Sequence, residues 1–327
     1  MRLLAITYPE RAEMRLASLD SPPDPGRDQV LIETLYSGIT NGTERHAMLD
    51  EFGFGRYPSS HGYQQVGRIV AAGQDVKGFS EGDLVYYGGY VGHRGWNLVT
   101  VGSADPHSNA SHLVMRLPAE VATWQCALLG VASVAMRHVR HLEIHPADKV
   151  WVAGQGLIGQ FCAQAACAHG ATVTVSDLVP RRLELALATG ADEAVDASSD
   201  AAWARLRQRG AYTHIIDACN MPRLYHQIQE HGLLQHDGIV GSVAVRGDTT
   251  FPWGLFHGLE GRIQVTCHFA LDDVRVVLDL LARGILQIAP LVLDRVPIDE
   301  APSIYARLRD EPQSLLGVVF DWGAASA

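Results

Sequence analysis

The segment that most constrains this chain is Gly154-Gln155-Gly156-Leu157-Ile158-Gly159, set between a short apolar run and an alanine-rich one. Lys149-Val150-Trp151-Val152-Ala153 ahead of it reads as a buried strand. Residues 159–169 behind it read as a helix that stops at Gly170. Each glycine answers a separate steric demand. Gly154 permits the tight turn off the strand, Gly156 lets the backbone approach a pyrophosphate, and Gly159 lets helix and strand pack closely. The helix start, with Leu157 and Ile158, offers unpaired N–H groups and the positive end of the helix dipole to phosphates. The next strand, Thr172-Val173-Thr174-Val175-Ser176, runs into Asp177, 18 residues beyond Gly159. A carboxylate there accepts both ribose hydroxyls of NAD and repels a 2′-phosphate, so the expected cofactor is NAD rather than NADP. Arg181 and Arg182 follow. They read as the solvated first turn of the next helix, with Arg182 the candidate to cover the adenine.

The strand–helix rhythm continues. Pro180 opens a helix through Ala188 that Gly190 closes, strands are expected at 193–195, 214–217 and 238–243, and a helix at about 223–231. Such alternation predicts an α/β domain built on a doubly wound parallel sheet with helices on both faces. The first 120 residues differ. They are rich in Gly and Pro and break into short apolar runs at 30–32, 66–70 and 84–87, bounded by turn clusters, which predicts a small β-rich barrel or sandwich. After about residue 270 come a helix (272–283), a strand (290–293), a helix (300–309) and a strand (316–320).

Composition narrows the function. A chain of 327 residues with 47% hydrophobic and 19% charged residues is long enough for two domains and too apolar for disorder. No apolar run approaches the ~20 residues of a membrane helix, and the N-terminus is too short and polar for a signal peptide. A net charge of −10 without a Lys/Arg cluster argues against nucleic acid as partner. Five scattered cysteines, none paired as C-x-x-C and none before Cys126, fit buried thiols in a reducing compartment. The expectation is a soluble cytoplasmic protein.

With these motifs in view, the chain resembles the medium-chain dehydrogenase/reductase superfamily nearly end to end. The resemblance is carried by Ser37-Gly38-Ile39, residues 62–73, Gly82-Asp83-Leu84-Val85, the glycine turn, and residues 297–305. It implies a GroES-like catalytic domain from residues 1–120 and 270–327, and a Rossmann NAD-binding domain at 121–269. Gly-Thr-Glu-Arg at 42–45 and Gly-Tyr-x-x-Val-Gly at 62–67 look most like the bacteriochlorophyllide dehydrogenase group, whose namesake oxidises a 1-hydroxyethyl substituent to acetyl.

The departures from the zinc-dependent members are as informative. Where they continue Ser-Gly-Ile with a Cys ligand, Thr40 stands. Their Gly-His-Glu is Gly62-Tyr63-Gln64, and the third-ligand region is Leu129-Gly130-Val131. Zinc needs thiolate, imidazole or carboxylate at ~2.0–2.3 Å, so no metal is expected there. None is expected in a four-Cys lobe either, since that lobe is missing. His46, His61, His93, His107 and His112 lack helical ligand spacing and read as solvated or hydrogen-bonded loop residues.

Thr43-Glu44-Arg45-His46 resembles the alcohol dehydrogenase stretch in which a hydroxyl bonds the substrate oxygen and a histidine ends a proton relay. The reading is therefore a zinc-independent, NAD-dependent dehydrogenase of a secondary alcohol. Thr43 orients the hydroxyl, and His46 or Tyr63 exchanges the proton. Tyr63 would need a nearby positive charge, NAD⁺ or Arg45, to lower its pKa. Glu44 is expected to be structural, paired with Arg45 and His46. Trp96, Trp253, Phe256 and His257 fall in loop-like segments, and Cys162 and Cys167 read as packing residues. Two other readings stay open: a zinc-free enoyl or quinone reductase, and a non-catalytic NAD(H)-binding protein. The partner expected is a small alcohol or ketone, with a homodimer formed through the sheet edge near 238–245.

Overall fold

The structure, a computed structural model, describes residues 1–53, 55–101, 112–244 and 246–323. His107 lies outside them. The chain divides into two compact units. Unit one takes Met1–Val131, Ala270–Leu278 and Leu291–Ala327; unit two takes Ala132–Phe269 and Asp279–Pro290. Against the sequence boundaries, residues 121–131 fall in unit one and 279–290 in unit two. The reason for the first is packing: the 3₁₀ turn Thr123–Leu128 lies against the central strands of the unit-one sheet.

In chain order unit one begins with β1 (Leu4–Thr7), β2 (Arg15–Ser18), β3 (Gln29–Gly38), α1 (Asn41–Leu49), β4 (Gln65–Ala72), β5 (Leu84–Gly89), β6 (Trp96–Thr100) and β7 (His112–Arg116). Helix α2 (Leu129–His141) follows. Then come β8 (Lys149–Ala153), α3 (Leu157–Ala168), β9 (Thr172–Asp177), α4 (Pro180–Ala188), β10 (Glu193–Asp196) and α5 (Ala202–Arg209). Next are β11 (Tyr212–Asp217), α6 (Leu224–Glu230), β12 (Leu234–Ser242), α7 (Trp253–Leu259) and β13 (Arg262–Val265). The chain closes with α8 (Leu271–Ala282), β14 (Val292–Pro297), α9 (Ala301–Asp310) and β15 (Gly317–Asp321).

The C-terminal segment returns to unit one. Strand β15 pairs antiparallel with β3, Val319 opposite Gly38, and extends a sheet of order β14-β15-β3-β4-β5-β7 with β6 also on β3. Beneath it α1 and α9 share one core, with Ile6, Tyr8, Ile39, Met48, Ile304 and Phe320 inside. Burial of this kind contributes roughly 25 cal/mol per Å² of apolar surface.

Unit two carries a six-stranded parallel sheet of order β10-β9-β8-β11-β12-β13. Its central strands are apolar on both faces, as a sheet covered twice by helices requires: Val150, Val152, Val173, Val175, Ile215 and Ile216 have no exposed surface. The order reverses between β8 and β11, which creates a switch point at their carboxyl ends.

Several local expectations change. Strand β12 is flanked by β11 and β13, so residues 238–242 do not form the sheet edge; β13 does. That strand escapes a sequence reading because it is short and alternates polar Arg262 and Gln264 with partly exposed Ile263 and Val265. Trp253, Phe256 and His257 lie on helix α7 rather than in a loop. Phe256 packs into the core beside Tyr225, whereas Trp253 is 71% exposed and stacks on His257. Trp96 lies on β6, where its indole N–H donates to the Asp20 carbonyl at 3.1 Å. Cys162 is buried and Cys167 half-buried, and burial pushes both thiols up, in keeping with a packing role. No helix among the described residues is long and apolar enough to cross a membrane.

Two histidines of unit two tie its stability to pH. Burial, aided by His141, pushes the pKa of His138 down to about 4, and burial with Arg137 does the same to His268. Both return to about 6.5 on unfolding. Their native pKa values are depressed, so protons bind the unfolded chain first as the medium acidifies. The expected outcome is full stability above pH 6.5 and progressive loss toward pH 4, measured by denaturant unfolding. The double variant His138→Gln/His268→Gln is expected to flatten that profile.

Candidate nucleotide and acid–base sites

The glycine turn of unit two behaves as its spacing predicts. Gly154 leaves β8 at φ +89° and its N–H donates to the Ser176 carbonyl at 2.8 Å. A Cβ on Gly159 would fall 1.8 Å from the Gly154 carbonyl oxygen, so only hydrogen fits. Gly156, the N-cap of α3, has ordinary backbone angles, and its side chain would meet nothing within 4 Å. No chain atom therefore requires glycine there, and the turn is left open to the close approach of a ligand. Leu157 and Ile158 open α3 behind it without a side-chain cap, leaving the first N–H groups for an anion.

Asp177 ends β9 beside this turn, 8% exposed. Its Oδ2 accepts from the Gln155 N–H at 2.6 Å and its Oδ1 from the Val179 N–H at 2.8 Å. A carboxylate offers about four acceptor sites, so two remain for a ribose diol. Arg182 Nη1 stands 3.9 Å from Asp177 Oδ2, and the Arg182 carbonyl accepts from Gln160 Nε2 at 2.7 Å. Arg181 instead pairs outward with Glu184. The residues fit a dinucleotide.

In unit one the candidate acid–base residues separate into two groups. Thr43 and His46 lie three residues apart on the part-exposed face of α1, a helix where the sequence read as a loop. His46 Nδ1 is bonded to Glu51, which also pairs with Arg45. Glu44 thus does not pair with its two basic neighbours. It turns inward and is 1% exposed. Its Oε1 accepts from the Thr40 N–H at 2.7 Å, holding the start of α1, while Oε2 meets His93 Nε2 at 3.1 Å and the Tyr305 hydroxyl. The other face of His93 meets Ser37 Oγ at 2.8 Å, which also accepts from Trp322 Nε1 at 2.9 Å. Sequence spacing gave no sign of this cluster, because its members are scattered from residue 37 to 322. His61 stacks on Tyr8, and burial lowers its pKa.

Tyr63 forms the second group, with Thr40, Gln64 and Val131. The Val131 N–H donates to Gln64 Oε1 at 3.0 Å, and Gln64 Nε2 donates to Thr40 Oγ1 at 3.1 Å. Tyr63 hydrogen-bonds Thr40. Burial pushes the Tyr63 hydroxyl well above its usual range; the Thr40 hydrogen bond opposes this, while Tyr90 and Glu44 add to it. Of the two positive charges that could lower it, Arg45 is spent on Glu51; in the chain alone burial favours the protonated Tyr63 hydroxyl, which can donate. The group also tests the fit of zinc. The positions that the family resemblance assigns to zinc ligands do converge here, yet they supply hydroxyls, an amide and a backbone N–H, with Val131 bonded to Gln64 and Gln64 to Thr40. Zinc does not fit them, and among the described residues no three His, Cys, Asp or Glu side chains could hold a metal ion.

The two glycines make opposite predictions. Gly156→Ala is expected to leave the melting temperature unchanged and to weaken NADH binding. Gly159→Ala is expected to destabilise by about 1–3 kcal/mol through overpacking. Thermal melts and NADH fluorescence titration read both.

Comparison with known proteins agrees with this architecture. Residues 26–104 match the alcohol dehydrogenase GroES-like domain family and residues 158–283 the zinc-binding dehydrogenase family. The 2-desacetyl-2-hydroxyethyl bacteriochlorophyllide A dehydrogenase of Rhodobacter capsulatus is 27% identical over 309 residues, covering 91% of this chain and 92% of its own. L-threonine 3-dehydrogenase of Yersinia pestis is 27% identical over 347 residues, covering 95% and 98%. An Escherichia coli protein described as a short chain alcohol dehydrogenase, solved with NADH, shares the fold with a TM-score of 0.83 at 18% identity, over 98% and 99% of the two chains. With its β-rich GroES-like unit and its Rossmann-type parallel sheet, the chain belongs to the medium-chain dehydrogenase/reductase superfamily and is an oxidoreductase of the alcohol dehydrogenase type.

Proposed function

We propose that this protein is a zinc-independent, NAD-dependent dehydrogenase that oxidises a secondary alcohol, of polyol or hydroxyethyl type, to a ketone. The observation that carries the reading is the hydrogen-bond chain Val131–Gln64–Thr40, with the Tyr63 hydroxyl beside Thr40, at the positions that the resemblance assigns to the family's metal ligands, filled with groups that are not ligands. Asp177 supports NAD, since its charge opposes a 2′-phosphate, and counts against an NADPH-dependent enoyl or quinone reductase. Five free cysteines support a reducing, cytoplasmic setting.

When bound, the nicotinamide supplies the hydride acceptor. The chain's own residues manage the proton. A backbone N–H can only donate, so Val131 fixes Gln64 Oε1 toward itself and turns Nε2 onto Thr40 Oγ1. The Thr40 hydroxyl, having accepted, has its own hydrogen to offer to the Tyr63 oxygen, and Tyr63 donates to the substrate oxygen. Thr43 orients the substrate hydroxyl. His46 takes its proton at Nε2, with Glu51 on Nδ1 fixing the ring as a carboxylate does for a working histidine. Positioned acid–base groups of this kind contribute about 10²–10⁴-fold.

Purified protein assayed on a panel of secondary alcohols with NAD⁺ and NADP⁺ is expected to prefer NAD⁺ and to keep its activity after chelation. His46→Ala is expected to lower kcat by about 10²-fold or more, and Tyr63→Phe to lower it less. One tightly held zinc per chain in elemental analysis, or near-wild-type kcat in both variants, would sink the mechanism. NADH binding without turnover across the panel would favour a non-catalytic role.

The homodimer is proposed to form through β13, whose outer edge ends the unit-two sheet and whose Val265 is 66% exposed. Light scattering is expected to give twice the chain mass, and Val265→Pro to give the monomer.

A further inference from the structure

Unit two contains a buried ion pair that neither the glycine turn nor the acid–base groups use. Asp217 ends β11 with no exposed surface, in register with Ala153 on β8 and Ser242 on β12. Its Oδ1 accepts from the N–H groups of Cys219 at 3.2 Å and Asn220 at 3.0 Å, and its Oδ2 from Arg246 Nη1 at 2.7 Å. Arg246 Nε turns back to the Ala244 carbonyl at 3.1 Å. Two of the three guanidinium nitrogens are thereby committed. The third, Nη2, is buried and has no hydrogen-bond partner among the described residues. A guanidinium N–H removed from water is costly without an acceptor, and none of the described residues supplies one.

The position of this donor is informative. Gly154 sits directly against Cys219: a Cβ on the glycine would lie 2.6 Å from the Cys219 Cβ. The ion pair therefore stands at the switch point, one strand away from the nucleotide turn. A dinucleotide binds across such a point with one half on each side. Asp177, at the end of β9, marks the adenosine side. Arg246, just past β12, falls on the other. Asp217 already balances its charge, so Arg246 offers an N–H edge rather than a net cation, which suits a neutral oxygen better than the diphosphate.

We infer that Arg246 is a cofactor-binding residue whose Nη2 donates to an oxygen of the nicotinamide-ribose half of the dinucleotide, with Asp217 as the positioning residue that aims it. The inference rests on the NAD reading and deepens it.

The test compares wild type with Arg246→Lys, which keeps a cation on Asp217 and loses the second nitrogen. NADH, ADP-ribose and AMP are titrated by fluorescence or calorimetry. The expected result is NADH weakened about tenfold with AMP unchanged, which also reports that the unit is folded; Arg246→Gln is expected to follow the same pattern. ADP-ribose weakened in parallel locates the acceptor on the ribose, and ADP-ribose unchanged locates it on the carboxamide. NADH binding left intact, or NADH and AMP weakened equally, overturns the inference. Failure of the wild type to bind NADH at all overturns instead the cofactor reading on which it rests.

Discussion

The contact on which unit two depends is the approach of α3 to the end of β8, where the Gly159 Cα presses on the Gly154 carbonyl so closely that no side chain can intervene. This contact fixes the direction of α3 and aims its uncapped N–H groups at the carboxyl end of the sheet. Asp177 then locks the neighbouring strand to the same turn through the Gln155 N–H. The helix start and the acidic residue thus meet at one turn, the first held by steric exclusion and the second by a hydrogen bond.

Unit one solves a different problem. At the positions that the family resemblance assigns to zinc ligands, the chain carries groups that satisfy one another. Buried hydroxyls and amides are stable only when paired, and the chain from Val131 to Tyr63 pairs them in series. The inward carboxylate of Glu44 is held likewise, between the start of α1, His93 and Tyr305. These networks keep α1 at a fixed angle and so present Thr43 and His46 on its outer face.

Much of this was legible in the residues. The glycine spacing, the apolar strands beside it and Asp177 pointed to the parallel sheet and its nucleotide turn, because each is a local demand of backbone geometry. The family resemblance brought Thr40, Tyr63 and Val131 into one comparison, and the fold brings them together. Other features were hidden. Strand β13 has too little apolar periodicity to be seen, and α7 is a seven-residue helix built around Trp253 and Phe256 that reads as a loop. Glu44 stands beside two basic residues in sequence but finds its partners 49 and 261 positions away.

The sequence by itself determined the class of fold, the glycine turn between strand and helix, and which side chains stand where the resemblance places metal ligands. These depend on which atoms each residue carries and on spacings of a few residues. Only the tertiary structure decided that Tyr63 is buried with its hydroxyl pKa pushed up, that Glu51 rather than Glu44 bonds His46, and that Arg246 meets Asp217 at the switch point. A pKa and a hydrogen-bond partner depend on burial and on contacts between distant segments, and those exist only once the chain has folded.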